Sequence, residues 1–173
     1  MEKSEKLNLG CGADIREDYL NVDGYAYEGV DVVTDITKLT FPSESFSEIL
    51  AKDVLEHLTF VDAKKLLRDC YDWLKPNGTI MLHVQNLPYL ASHLCRNEDF
   101  DDKFHFEVLK WIYGVSAIGD SKSPFRYHHW GYSEKSLSKI LQGIGFYVAQ
   151  STVDCEGFGL LVIACKRGND GGK

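Results

Sequence analysis

Leu7-Asn8-Leu9-Gly10-Cys11-Gly12 is the stretch on which the reading of this chain turns. Lys6–Leu9 is a short apolar run, and the Gly-x-Gly that ends it lets the backbone turn tightly and approach a ligand with no Cβ in the way. Three more short runs follow, each closed by an acidic turn: Tyr19–Val22 before Asp23, Val30–Thr34 before Asp35, and Glu48–Ala51 near Asp53. Runs of this kind are expected of strands buried on both faces. Asp62 is placed as the N-cap of a helix with Ala63, Leu66, Leu67, Cys70, Tyr71 and Leu74 on one face. Pro76-Asn77-Gly78 stops that helix, and Thr79–Val84 reads as a fifth strand. Strand, helix and strand in that order predict a parallel sheet and an α/β fold.

Residues 87–132 break the rhythm. They hold ten of the 21 aromatic residues, an acidic cluster from Glu98 to Asp102, and His128-His129. A structureless loop of that length is improbable in a compact domain, so a helix is expected over Phe106–Tyr113. The segment reads as a lid or substrate insertion over the carboxyl edge of the sheet, with a mobile stretch at Gly114–Ser123. The other reading is a set of helices that only patch the core. Ser133 then caps a helix with Leu137, Ile140, Leu141 and Ile144 on one face and Gly145 as its stop. Tyr147–Thr152 and Leu160–Lys166 are expected to pair as an antiparallel hairpin at a sheet edge. The chain thus reads as one domain, residues 1–166, with a polar tail at 167–173.

Composition narrows the function. A chain of 173 residues fits one domain, and 44% hydrophobic with 26% charged residues is globular composition. Nineteen Lys and Arg against 26 Asp and Glu leave a charge of −7, poorly suited to a phosphate backbone, so a nucleic-acid partner is not expected. The first residues, MEKSEKLNLG, contain no long apolar run, and neither a leader nor a membrane span is expected. Five cysteines without a C-x-x-C pair read as reduced thiols of a cytoplasmic protein. His93-Leu94-Cys95 and His128-His129 lack the spacing of a zinc site. Oligomeric state is left open.

In open α/β sheets ligands bind outside the carboxyl ends of the strands, so the glycine turn, Asp23 and Asp35 are expected to line one crevice. Asp23 is placed to accept from both hydroxyls of a ribose. Asp35 is placed to receive an adenine amino group, with Ile36 packing on the ring. Solvated turn aspartates are the alternative for either alone. A nicotinamide dinucleotide fits poorly: Ile15 stands where G-x-G-x-x-G/A needs a small residue, and the acid comes 13 residues after Gly10 rather than roughly 20. The expected ligand has no pyrophosphate.

Leu-Asn-Leu-Gly-Cys-Gly, Leu-Asn-Val-Asp, Asp-Ile with Leu-Thr-Phe-Pro-Ser-Glu-Ser-Phe-Ser-Glu-Ile, Asp-Val-Leu-Glu-His-Leu and Trp-Leu-Lys-Pro-Asn-Gly-Thr-Ile resemble, in order, successive motifs of the class I S-adenosylmethionine-dependent methyltransferases, most closely the small type-11-like branch. The resemblance covers roughly residues 6–86 and resumes at His-His-Trp-Gly-Tyr-Ser. It implies a Rossmann-like, seven-stranded, mostly parallel sheet with a reversed last strand, and S-adenosylmethionine as cofactor. Contacts are implied at Leu9, Gly10, Cys11 and Gly12, at Asp23 for the ribose, and at Asp35 and Ile36 for the adenine. Ala51 and Asp53 are implied beside the methionine part. Two departures stand out: Asp14 occupies the third small position of the glycine loop, where it is a candidate to face the sulfonium or amino group, and the first helix is nearly absent.

Methyl transfer needs a nucleophile held in line, and a base only where the acceptor must lose a proton. His57, in Leu-Glu-His-Leu, and His128, in His-x-Trp, are the candidate bases, each with a structural hydrogen-bonding role as its alternative. Glu56 is a candidate to orient His57. His83 lies inside the fifth strand and reads as structural. The expected activity is methylation of a small molecule, with a sugar or glycan precursor implied by the resemblance. A second reading is a non-catalytic cofactor binder or partner subunit that has kept the fold. A base-modifying enzyme is disfavoured by the charge and by Ala51-Lys52-Asp53-Val54 where Asn/Asp-Pro-Pro-aromatic would stand.

Overall fold

The computed structural model describes residues 4–96, 103–114, 127–154 and 157–168. The acidic cluster at 98–102, the expected mobile stretch beyond Gly114 and the tail beyond Gly168 lie outside the described residues. Seven strands form one sheet: β1 (Lys6–Leu9), β2 (Leu20–Asp23), β3 (Val32–Val33), β4 (Phe46–Lys52), β5 (Leu74–Gln85), β6 (Phe146–Val153) and β7 (Gly159–Lys166). Their order is β3-β2-β1-β4-β5-β7-β6. The first five run parallel, while β7 is antiparallel to both β5 and β6. The expected mixed α/β sheet with an antiparallel C-terminal hairpin is therefore present.

Register brings the site's components level. Leu9 pairs with Val22 on one side and with Ala51 on the other. The chain leaves the sheet at the same edge just beyond these three: at Gly10 after β1, after Asp23 at the end of β2, and at Asp53 after β4. Leu7, Leu9, Val22, Ile49, Ile80 and Leu82 have no more than trace exposure, as expected of parallel strands covered on both faces. Along the far side of the sheet, α1 (Phe60–Trp73) and α4 (Glu134–Ile144) pack on the strands and on each other. Trp73 and Phe46 both meet Phe41 edge-on, at 5.1 and 4.9 Å between ring centroids.

The element ends differ from expectation in instructive ways. The cap of α1 is Thr59, whose hydroxyl accepts from the Asp62 amide at 3.2 Å and donates to the Asp62 carboxylate at 2.6 Å. Both residues are cap formers three positions apart, and the outer one wins. Leu74 belongs to β5, which resumes after Lys75–Gly78 bulges between the pairings Phe46–Leu74 and Glu48–Thr79. β3, at the sheet edge, keeps only two residues, Val32 and Val33, which pair with Val22 and Asp23. Ser133 caps α4 as expected, in a reciprocal box with Ser136.

The described part of 87–132 consists of α2 (Leu87–Arg96) and α3 (Lys103–Tyr113), the second enclosing the expected helix. Leu90 and Val108 are buried. Trp111 stacks on Phe158 with ring centroids 5.9 Å apart, which fixes α3 above the carboxyl end of the sheet. Leu82, fully buried at the centre of β5, reports on the integrity of this core. Leu82→Ala is expected to cost about 2–5 kcal/mol, read as a lower urea midpoint with an unchanged slope.

Candidate active site

The connection from β1 to β2 contains no helix; residues 10–19 form turns. Two buried amides hold it. Asn8 Nδ2 donates to the Asp14 carbonyl at 2.8 Å and to Asn21 Oδ1 at 3.1 Å. Asn21 Oδ1 also accepts from the Arg16 amide at 3.0 Å, and Asn21 Nδ2 donates to the Arg16 carbonyl at 2.9 Å. So held, the glycine turn curls over the end of β2. The Gly12 amide donates to Asp23 Oδ2 at 2.8 Å, and the Tyr25 amide donates to Asp23 Oδ1 at 2.9 Å.

Gly10 and Gly12 adopt φ of 62° and 52°, in the region where a Cβ is strained. A Cβ on Gly10 would stand 2.5 Å from Val54 Cγ2, whereas one on Gly12 would meet nothing within 4 Å. Gly10 is thus required for packing against the turn after β4, and Gly12 leaves its side of the turn open. The result is a crevice with about 740 Å³ of empty space, part of it open to solvent.

Six residues singled out from the sequence as cofactor contacts, Gly10, Gly12, Asp23, Asp35, Ile36 and Asp53, line this crevice, and His57 joins them. Gly24, Tyr25, Tyr27, Thr34, Val54 and Leu58 complete the wall and were not anticipated. The side chains of Leu9, Cys11 and Ala51 are buried and do not line it, because strand alternation and the tight turn direct them into the core. Burial pushes the Cys11 thiol up to about 11, so it is no nucleophile. Asp14 also lies outside the wall: its carboxylate pairs with Arg16 at 3.2 Å on the surface.

Asp35 carries a local duty as well. It caps a single 3₁₀ turn, Ile36–Lys38, with Oδ1 accepting from the Thr37 hydroxyl at 2.7 Å and the Thr37 amide at 3.0 Å. The Thr37 hydroxyl above all holds its carboxyl below the ordinary range. Its Oδ2 lies 3.2 Å from Lys38 Nζ.

A second cavity, with about 830 Å³ of empty space, adjoins the first. Asp53 and His57 border both. Its other walls are Glu56, Gln85, His128 and the α3 residues Glu107, Lys110 and Trp111. The last three fall at i, i+3 and i+4, one helix face. That spacing is a signal the sequence carries and that was not used. Lys110 is paired with Glu107 at 3.0 Å.

The two candidate histidines meet here, with ring centroids 4.7 Å apart. His57 Nδ1 lies 3.1 Å from the Tyr127 carbonyl, which can only accept, so Nε2 is the lone-pair nitrogen of the neutral ring. His128 Nδ1 likewise donates to the Trp111 carbonyl at 2.8 Å, with Gln85 Nε2 beside the ring. Burial, reinforced by neighbouring His57, lowers the His128 pKa to about 4 and keeps that ring neutral. His83 Nδ1 lies 2.5 Å from Asp53 Oδ1, and this hydrogen bond raises its pKa. Asp53 itself has φ 54°, unusual for a residue with a Cβ.

Glu56 is the outlier. It sits in the 3₁₀ turn Leu55–His57 with 0% exposure, and neither carboxyl oxygen has a hydrogen-bond partner among the described residues. Its backbone carbonyl accepts from the amides of His129 at 2.7 Å and Trp130 at 3.3 Å, which anchors the turn. Burial first, and the Asp53 charge second, push its carboxyl up to about 8.

This arrangement has relatives. Residues 2–151 match the methyltransferase-domain family, and the chain belongs to it. A phosphoethanolamine N-methyltransferase of Plasmodium falciparum is 31% identical over 111 residues, spanning 62% of this chain and 39% of that protein. The chain therefore covers about two-fifths of the length of that curated relative. An S-adenosylmethionine-dependent methyltransferase from Mesorhizobium loti superposes with a TM-score of 0.64 at 18% identity, over 93% of this chain and 90% of that one. A 1,6-didemethyltoxoflavin-N1-methyltransferase from Burkholderia thailandensis, bound to 1,6-didemethyltoxoflavin and S-adenosylhomocysteine, gives 0.61 at 14% identity, over 94% and 70%. The fold is that of the class I S-adenosylmethionine-dependent methyltransferases, and S-adenosylmethionine is the cofactor of that class. The crevice suits such a group: Gly12 leaves open space, Asp23 has accepting capacity beyond its two amides, and Ile36, Val54 and Leu58 offer apolar surface to a ring. Among the described residues no helix is long and apolar enough to cross a membrane, and no group of three His, Cys, Asp or Glu could hold a metal ion.

The lone carboxyl of Glu56 sets a pH dependence. The unfolded carboxyl ionises near 4.5, while the folded one holds its proton up to about 8. Its contribution to stability is complete below pH 4.5 and is lost as the pH rises to 8. Glu56→Gln removes this loss, so its melting temperature minus that of the wild type is expected to grow from pH 5 to pH 8.

Proposed function

We propose that this chain transfers a methyl group from S-adenosylmethionine, held in the crevice beside the glycine turn, to a small acceptor held in the second cavity. The observation that carries the reading is that the two cavities meet at Asp53 and His57. A cofactor in one and an acceptor in the other have their reacting ends at that junction, where positioning alone supplies several kcal/mol. Asp23 receives the ribose hydroxyls on the lone pairs that Gly12 and Tyr25 leave, and Ile36 packs on the adenine. Asp35 turns Oδ2, its oxygen not taken by Thr37, toward the amino group. S-adenosylmethionine supplies a methyl group already activated on a sulfonium.

His57 Nε2 accepts the proton that the acceptor must lose, and the Tyr127 carbonyl fixes the tautomer that leaves it able to do so. His128, held neutral, orients the His57 ring and lines the acceptor's berth. The resemblance pointed to a sugar or glycan precursor, and the Plasmodium relative is named for an amine. Both classes lose a proton on methylation. A non-catalytic binder has no use for the second cavity or for a histidine shared between the two.

Thermal unfolding with S-adenosylhomocysteine tests the cofactor half. A ligand at about 100 times its Kd stabilises by roughly 2.7 kcal/mol, about 5–10 °C for a domain of this size. That shift is expected for the wild type and lost in Asp23→Ala, and a nicotinamide dinucleotide is expected to give none. His57→Gln is expected to lower kcat by about 10²–10⁴-fold with S-adenosylhomocysteine affinity unchanged. Equal kcat in the variant would remove His57 from the chemistry.

A further inference from the structure

Glu56 carries a buried carboxyl with no hydrogen-bond partner among the described residues. A buried acid normally finds a partner, because an unpaired polar group in the interior costs free energy. Both Glu56 oxygens lack one among the described residues, while the residue is fully buried and lines the acceptor cavity. Its structural contribution, the carbonyl that holds the His129 and Trp130 amides, belongs to the backbone and would be made by any residue. The side chain is free to serve a ligand.

We propose that Glu56 is the counter-charge for the acceptor, and that the acceptor is a small primary or secondary amine. This rests on the methyl-transfer reading above and names its substrate class. The charged and titratable groups around Glu56 favour a cation. From the turn after β4 come Asp53 and His57, from α3 Glu107 and Lys110, from the segment before α4 His128, and behind the carboxyl lies Tyr132. The one cation among the cavity's lining residues, Lys110, is already paired with Glu107. Trp111, stacked on Phe158, lines the same cavity. A sugar hydroxyl can hydrogen-bond such an acid but leaves its charge uncompensated once ionised, whereas an ammonium group compensates it.

The chemistry balances. Glu56, uncharged in the ligand-free protein because burial holds its proton, releases that proton to solvent when an ammonium group binds. The ammonium then passes one proton to His57 Nε2. The freed nitrogen lone pair forms the new N–C bond as the S–C bond breaks, with that bond's electron pair staying on sulfur as the neutral thioether. Positive charge leaves sulfur and appears on nitrogen beside the Glu56 carboxylate, so the carboxylate favours the transition state as well as the product. His57 returns its proton to solvent.

The test uses the full chain, S-adenosylmethionine, and ethanolamine and phosphoethanolamine against ethylene glycol and glucose. The wild type is expected to methylate an amine and neither hydroxyl probe. Glu56→Gln, which keeps shape and neutral hydrogen bonding, is expected to raise the amine KM by roughly tenfold to a hundredfold with S-adenosylhomocysteine affinity within about twofold of wild type. Glu56→Asp is expected to recover part of the loss. Calorimetry at pH 7 needs no variant: the enthalpy of ethanolamine binding to the wild type with S-adenosylhomocysteine present should vary with the buffer's ionisation enthalpy, reporting proton release. Intact S-adenosylhomocysteine binding with an unchanged amine KM in Glu56→Gln, with no amine binding, or with turnover of hydroxyl probes alone overturns the proposal and leaves the methyltransferase reading standing. No S-adenosylhomocysteine binding by the wild type overturns both.

Discussion

Two side-chain amides take the place of a helix in this protein. Parallel neighbours need a crossover, usually a helix that packs on the sheet and supplies the next strand with its position. Between β1 and β2 the chain instead runs through turns, and Asn8 and Asn21, both buried, supply the hydrogen bonds a helix would have kept for itself. Asp31 closes the set: its Oδ2 accepts from the Asn21 amide at 2.7 Å, tying β2 to the approach to β3. Without this network the glycine turn has no fixed height above the sheet. With it, the Gly12 amide lands on Asp23, and one carboxylate serves both the turn and the crevice. An apolar residue in place of Asn21 would leave the Arg16 amide and the Arg16 and Tyr19 carbonyls without this partner, and one in place of Asn8 would release the Asp14 carbonyl and Asn21 Oδ1.

The second constraint lies at the end of β4. Asp53 holds a left-handed backbone conformation that costs most residues roughly 1–2 kcal/mol. Its amide donates to the His83 carbonyl and its carboxylate to the His83 ring is a short contact, so β5 enforces the conformation from the next strand. The kink throws the following 3₁₀ turn sideways, between the two cavities. It thereby gives Asp53 and His57 access to both, and turns the intervening Glu56 inward. His83, expected from its place in the strand to be structural, is bonded to Asp53, the residue of the turn that borders both cavities.

Legibility followed burial. Strands covered on both faces are written as apolar runs, and β1, β2 and β4 stand within two residues of their expected ends. β3 is reduced to the two residues that pair with Val22 and Asp23, which no property of Val30–Thr34 announces. The crevice was readable because glycines and acids at strand ends have few alternatives. Leu9, Cys11 and Ala51, placed there by resemblance, are contiguous with the crevice in sequence but turned away from it by alternation. The second cavity was harder to read. It joins residues of β5, α3 and the turn after β4, and only the Glu107, Lys110 and Trp111 spacing hints at a shared face. Nothing in Leu-Glu-His-Leu says that its acid points inward, since a 3₁₀ turn has no periodicity long enough to mark a buried side.

Seen energetically, the site is asymmetric in charge. An apolar residue of similar volume at position 56 would avoid the penalty of a buried acid, and stability alone would favour it. A local rule broken without a structural gain points to function. The same logic explains why the acid is left solitary rather than paired with Lys110, which lines the same cavity. A permanent ion pair would hold its charge in place and compete with any cationic ligand. An uncharged acid has no such grip, and it acquires its charge only when a cation arrives to stabilise it. Methyl transfer from a sulfonium to an amine moves one positive charge a few ångströms without creating or destroying it. A wall with Asp53 at the junction of the two cavities and Glu56 in the second is suited to that displacement.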